Sequence, residues 1–207
     1  MRRTRILAFL VTLTAGAAFA FGAEDSRSLP AYQSADLTPE WIAPAEARHA
    51  VGSFHLSDQT GADVTEADLD GRVTVVSFFF ARCTSICPSL RSNLSDVQTA
   101  FHTDDRVQIL SHTVMPETDS VDALGAYAGA NGVDATRWRL LTGDRDVIYR
   151  LARESYFADV AEGGFLHTET FYLLDGQRRI RGVYNGTLAI EVAQLVSDAE
   201  ALLAEMR

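Results

Sequence analysis

The chain has 207 residues, 47% of them hydrophobic and 22% charged, with a mean hydropathy near zero, a mixture that excludes both a disordered tail and a polytopic membrane protein. Twenty-eight acidic against 18 basic residues, all of the latter Arg, give a formal charge of −10, a surface that repels phosphate backbones and argues against nucleic acid as a partner. The two cysteines, Cys83 and Cys87, are too few for a disulfide framework, and the length fits one domain with a full core.

Residues 1–23 read as an address. Arg2, Arg3 and Arg5 form a basic start, and Ile6 to Ala23 then runs without a charge. Ala18-Phe19-Ala20 supplies the small-x-small pattern of a signal peptidase site, with Ala23 as a second option. The alternative is a retained anchor, since this apolar run approaches the ~20 residues that span a bilayer. Signal peptide and membrane anchor both place the folded part outside the cytoplasm, where thiols tend to oxidise. The expected location is periplasmic, or the outer face of the inner membrane. Residues 24–48, with Pro30, Pro39 and Pro44 and no apolar period, read as a linker that either gives reach or wraps the domain surface.

From residue 49 to 207 a single α/β domain is expected. Phe54–Leu56 and Asp63–Thr65 flank Gln59-Thr60-Gly61 as an N-terminal β-hairpin extension. Val73–Phe80 (VTVVSFFF) is a continuous β-rich apolar run, as for a central strand buried on both faces. Pro88–Phe101 carries Leu90, Leu94, Val97 and Phe101 on one helical stripe. Val107–Val114 reads as a strand, and Val121–Ala130 and Asp144–Phe157 as helices. Thr170–Leu174 and Ile180–Tyr184 are strands joined through Asp175-Gly176, and Leu188–Met206 closes the chain as an amphipathic helix. Strands alternating with helices, then an antiparallel hairpin and a helix, predict a central mixed sheet flanked by helices.

The chemistry concentrates in Cys83-Thr84-Ser85-Ile86-Cys87-Pro88, directly after the central strand and at the start of the next helix. Ligands bind at the C-terminal ends of strands in α/β sheets, and free N–H groups at a helix start favour a thiolate. Pro88 costs the helix nothing there, because that N–H has no partner in any case. Cys83 and Cys87 stand one helical turn apart, so both sulfurs can meet one object: a soft metal or each other. A stable metal site needs at least one more ligand. Of the five histidines, His49 and His55 read as surface or edge residues and His102 as a cap on a helix end. His112 reads as a strand residue of the core, and His167 lies in a Gly-rich lead-in to a strand. His167 is the leading ligand candidate, with His112 its competitor. No proline follows Pro116, and His167-Thr168 stands where thioredoxin-type oxidoreductases place a cis-proline opposite their cysteine pair, which favours metal delivery over general disulfide exchange.

These residues resemble the Sco/SenC family, copper-binding thioredoxin-fold proteins that help mature the dinuclear copper centre of cytochrome c oxidase. The likeness runs from about Gly52 to the last helix. It covers SFHLSDQTGADVTEADLDGRVTVVSFFFARCTSICP, LSHTVMPETDSVDALGAYA, WRLLTGD and FLHTETFYLLDGQRRIRGVYNGT. It implies a thioredoxin-like fold, with Cys83 and Cys87 as the family's CxxxCP cysteines and His167 as its distant copper histidine. Such a set suits Cu(I) and can also hold Cu(II). It further implies a monomeric metallochaperone whose partner is a copper-accepting oxidase subunit or another copper protein. Many relatives carry Asp-Pro where this chain has Met115-Pro116; Met115 reads as an adaptable packing residue, with a soft auxiliary ligand as the alternative. Glu169 and Asp119 read as groups that orient or cap rather than ligate. The rival functions are a thiol-disulfide reductase using Cys83 and Cys87 on a metalloprotein's cysteines, and a copper or redox sensor that transfers nothing. A peroxidase fits less well, because the Pro-x-x-x-Thr-x-x-Cys arrangement is missing around Cys83.

Overall fold

A computed structural model describes residues 28–158 and 168–206. In chain order the described elements are strands β1 (Ala31–Tyr32), β2 (Pro39–Glu40), β3 (His55–Ser57), β4 (Asp63–Thr65) and β5 (Val73–Phe79). They continue as α1 (Cys87–Ala100), β6 (Val107–Thr113), α2 (Val121–Asn131), β7 (Trp138–Leu141), α3 (Arg145–Ser155), β8 (Thr170–Leu174), β9 (Ile180–Asn185) and α4 (Ala189–Glu205). The main sheet runs β7-β6-β5-β8-β9. β5, β6 and β7 are mutually parallel, whereas β8 runs antiparallel to β5 and to β9.

The physical basis of β5 is its composition. All seven residues of VTVVSFF are buried, so a continuous β-branched and aromatic run serves both faces at once. Val73, Val75 and Phe79 face one core with Leu90 and Leu94 of α1, Leu124 of α2 and Val192 and Leu195 of α4. Val76 and Phe78 face a second core with Leu56, Val64, Ile148, Leu151 and Tyr156. The sheet is thus covered by helices on one side and by α3 with the β3–β4 hairpin on the other. The helix starts and stops follow ordinary capping chemistry. Ser120 accepts from Ala123 N–H and Asp144 from Asp146 and Val147 N–H, while Gly132 ends α2 at φ 68°, a conformation that suits glycine.

One feature differs from the sequence reading, and a second takes one of the two alternatives it left open. A fifth strand, β7, lies between α2 and α3, where the reading put no element. Its four residues pair in register with β6, Ile109 opposite Trp138 and His112 opposite Leu141. The segment read as a linker that gives reach or wraps the domain takes the wrapping alternative from Leu29 onward. Leu29 and Ala31 are buried, and Arg181 on β9 donates to Leu29 O at 2.7 Å and Pro30 O at 3.0 Å. That guanidinium, only 2% exposed, also meets Asp175 at 3.2 Å and Glu205 at 3.3 Å, so its buried charge is fully paired. The strap's β1 lies beside β9, the strand at one edge of the main sheet.

Candidate metal centre

β5 ends at Phe79, and residues 80–86 turn back before α1 starts at Cys87 with Pro88 in its first turn. Ile86, the residue before the helix, gives no side-chain cap, but its carbonyl accepts from Ser89 N–H at 3.0 Å and Leu90 N–H at 3.2 Å, and Pro88 has no N–H, so the helix start acts on the sulfurs through its dipole more than through free amides. Cys83 and Cys87 are joined as a disulfide with their Cα atoms 5.7 Å apart, within the ordinary bridging range. The two sulfurs are unequal. Cys87 is buried at 7% exposure, whereas Cys83 is half-buried and faces outward near Ser85 Oγ at 3.7 Å.

Hydrogen bonds fix this turn to β6. Val114 N–H donates to Phe79 O at 2.8 Å and Cys83 N–H to Phe80 O at 3.2 Å. Buried Asp119 accepts from Ala81 N–H at 3.0 Å and from Thr113 Oγ1 at 2.5 Å, and Thr113 Oγ1 in turn accepts from Met115 N–H at 3.0 Å. One carboxylate therefore clamps the Cys-bearing turn to the exit of β6. Asp119 acts as an orienting group here, as expected from the sequence; the clamp itself was invisible there, because Ala81 and Asp119 are separated by 38 positions.

The remaining candidates fall into distinct places. His167 lies outside the described residues. Its neighbour Thr168 lines a small cleft together with Phe80, Ile86, Cys87, Leu90 and Val114, so the chain following residue 167 passes beside the inner cysteine. Glu169 is turned to β9, where Asn185 Nδ2 donates to its Oε2 at 3.3 Å and Gly186 N–H to its carbonyl at 2.7 Å. Met115 packs with Phe80 against the second core. His49 Nε2 lies 2.9 Å from Ser155 O, His55 pairs with Asp63 on the surface, and His102 Nδ1 lies 2.8 Å from Thr99 O at the end of α1. His112 is fully buried between Phe78, Phe54 and Tyr156 with neither ring nitrogen hydrogen-bonded. Desolvation pushes its pKa down to about 3. Its strand neighbours Ser111 and Thr113 face the α1 side, Ser111 bonding Ser77 at 2.7 Å and Trp138 at 2.8 Å. By strand alternation His112 points to the other side of the sheet. Among the described residues, no three His, Cys, Asp or Glu side chains converge as a metal set.

The SCO1/SenC family model matches residues 42–204. The chain belongs to the SCO1/SenC family. This Sco chain is 28% identical over 159 residues to a SCO1 protein homolog of Bacillus subtilis (strain 168), covering 74% of this chain and 82% of that protein. It superposes with a TM-score of 0.66 and 28% identity on BsSco, a member of the Sco family of cytochrome c oxidase assembly proteins in which a disulfide switch was identified, over 74% of this chain and 93% of that one. Copper-bound ScoI of Bradyrhizobium japonicum superposes with a TM-score of 0.61 at 25% identity, over 74% of this chain and 98% of that one. The fold is accordingly thioredoxin-like.

Proposed function

We propose that the chain is an exported copper chaperone. It takes copper as cargo on Cys83, Cys87 and His167, and delivers it to the dinuclear copper site of cytochrome c oxidase or prepares the cysteines of that site. The observation that carries this reading is the placement of Cys83 and Cys87 at the open start of α1, with Thr168, covalently next to His167, lining the same cleft as Cys87. Likeness to the copper-bound ScoI supports it.

The chemistry follows from the donors. The disulfide binds no metal; two electrons and two protons convert it to two thiols, and the helix start favours their loss of protons. Two thiolates and an imidazole provide three donors that suit Cu(I). A three-donor site at the mouth of a surface turn leaves room for an acceptor thiolate to enter before a donor thiolate leaves. The second reading, a reductase of metalloprotein cysteines, is favoured by one observation: the outer sulfur of Cys83 is accessible while Cys87 is shielded behind it. In that case a partner's disulfide would be reduced as Cys83–Cys87 is oxidised, two electrons passing between the pairs.

Anaerobic Cu(I) titration of the reduced protein against a competing chelator tests the proposal. One equivalent is expected, lost in Cys83→Ser and in Cys87→Ser and strongly weakened in His167→Ala. Unchanged copper affinity in His167→Ala would remove the imidazole from the set. Wild-type protein that reduces a partner disulfide yet passes no copper to an apo acceptor would decide for the reductase. We further infer a monomer held at the periplasmic side of the inner membrane, with residues 1–23 as the address.

A further inference from the structure

The two ends of the sheet are chemically different, and the strap decides which of them is near the N-terminus. Cys83 follows the C-terminal end of β5. The Asp175–Arg179 turn between β8 and β9 lies at the other end, because Leu174 pairs with Thr74 near the start of β5. Seven strand residues at ~3.3 Å each separate the two ends by roughly 23 Å. Ser28, the first described residue, lines a groove at the turn end together with Pro44, Gly176, Arg179 and Met206. Arg179 donates to Pro44 O, and Gln33 Oε1 accepts from Arg48 N–H at 2.6 Å. With Arg181 holding Leu29 and Pro30, the strap is thus fastened to the domain near Leu29 and at Pro44, and Gln33–Arg48 closes it on itself. Only residues 24–28 stand between the apolar run ending at Ala23 and the buried Leu29, and the six steps from 23 to 29 span at most roughly 22 Å.

Trp41 is 72% exposed on the same strap. It follows Glu40, which pairs with Ala31, and precedes Pro44 by three residues, so it sits at the turn end. The other large exposed hydrophobics among the described residues, Leu188 at 46% and Ile190 at 80%, lie at the start of α4, after β9 has run to the cysteine end. An exposed indole has an apolar body and one N–H donor, the combination that partitions into the headgroup region of a bilayer. Of the charges around it, Arg178 pairs with Asp70 at 3.1 Å and Arg179 with Asp175 at 2.8 Å, whereas Glu46 is exposed and Glu40, next to Trp41, accepts from Gln33 Nε2 at 2.7 Å. It is the indole rather than charge that suits this end to a lipid surface.

We propose that the turn end of the domain, led by Trp41, rests in the interface of a lipid bilayer, so that Cys83 and Cys87 face away from the membrane. This rests on the reading of Ile6–Ala23 as a retained anchor. A short leash leaves the domain few orientations, and the exposed indole selects among them. The cysteine pair would then meet an acceptor site standing above the bilayer by about the height of the domain rather than one at its surface.

The full chain, purified from membranes and reconstituted into phosphatidylcholine vesicles with brominated acyl chains, provides the test. Mass analysis first establishes whether residues 1–23 are present. Trp41 and Trp138 are the two indoles, and Trp138 is buried, so the difference between the wild type and Trp41→Phe isolates the exposed one. That difference emission should shift to the blue in vesicles, be quenched by the brominated lipid and lose its sensitivity to aqueous iodide. A difference emission that stays red and fully open to iodide in vesicles overturns the proposal while leaving the anchor reading intact. So does shielding from iodide without lipid quenching, which would assign Trp41 to a protein contact. A mature chain that begins at residue 21 or 24 overturns the anchor reading, and the proposal with it.

Discussion

Asp119 Oδ2 accepts the Thr113 hydroxyl at 2.5 Å while also holding the Ala81 amide at 3.0 Å. The three residues come from the turn after β6, the end of β6 and the turn after β5, so one buried carboxylate sets where Cys83 stands relative to the sheet. Asp119→Ala leaves an amide and a hydroxyl unpaired in the interior and should cost about 2–3 kcal/mol, read from denaturant midpoints at constant slope. The reduced variant should also bind Cu(I) more weakly than that loss of stability explains, because at native conditions it is still folded. Copper affinity equal to wild type in a destabilised Asp119→Ala would confine the residue to stability.

This clamp was not legible in the sequence, and its reason is instructive. Cys83 and Cys87 announce themselves by element type and by position after VTVVSFF, whose composition alone specifies a strand buried on both faces. Asp119 is a common residue in a loop, and what makes it matter is a meeting with Ala81 that only the sheet register creates. β7 was missed for a related reason. Trp138–Leu141 is four residues long with Arg139 in its middle, too short to show a period, and it is a strand because β6 offers it a free edge. Whether residues 24–48 give reach or wrap the domain stayed open in the sequence because the attachments are backbone carbonyls of Leu29 and Pro30 received by Arg181, 152 and 151 positions away, which no hydrophobic pattern reports. His112 was rightly placed in a core strand, and strand alternation then carries it to the face away from α1.

Arg181 provides the test of the strap. Arg181→Ala removes the donor to Leu29 and Pro30, while buried Asp175 keeps Arg179 at 2.8 Å and Glu205 is exposed. Leaving those two carbonyls without their donor should cost about 2–4 kcal/mol. Residues 28–48 should then be cut by a broad-specificity protease well before the rest of the domain. Equal cleavage of variant and wild type within 28–48 would show that the strap is held by other contacts.

His112 dictates part of the acid behaviour. Its folded pKa of about 3 lies below the ordinary 6.5, so between those values the unfolded chain holds a proton that the folded chain refuses. The contribution is therefore complete above pH about 6.5 and is lost as pH falls toward about 3, with a slope of up to about 1.4 kcal/mol per pH unit. Carboxylates lose stability over part of the same range, Asp104 and Asp68 being held below the usual value by arginine partners and amide hydrogen bonds. The comparison with His112→Leu separates them. The leucine variant should be as stable as wild type or more so near neutrality, since two unpaired ring nitrogens leave the core, and its acid limb should be flatter between pH 6 and 4. An identical limb would mean that His112 gains a proton partner on folding that the native packing does not show.

The inequality of the two sulfurs yields the last expectation. Once the disulfide is reduced, Cys83 stands in the open turn and Cys87 is covered by Ile86, Leu90 and Thr168. Thiolate reactivity follows access as well as acidity, so an alkylating reagent should label Cys83 first, and an incoming disulfide should be attacked by Cys83, with Cys87 then closing the bridge and expelling the partner thiol. Cys87→Ser should consequently trap a mixed disulfide that persists, while Cys83→Ser should form one slowly. Mass spectrometry of the trapped species decides the order. Faster labelling of Cys87 would require the 80–86 turn to swing open on reduction, and Asp119→Ala, which unfastens that turn, should then raise the Cys87 rate further.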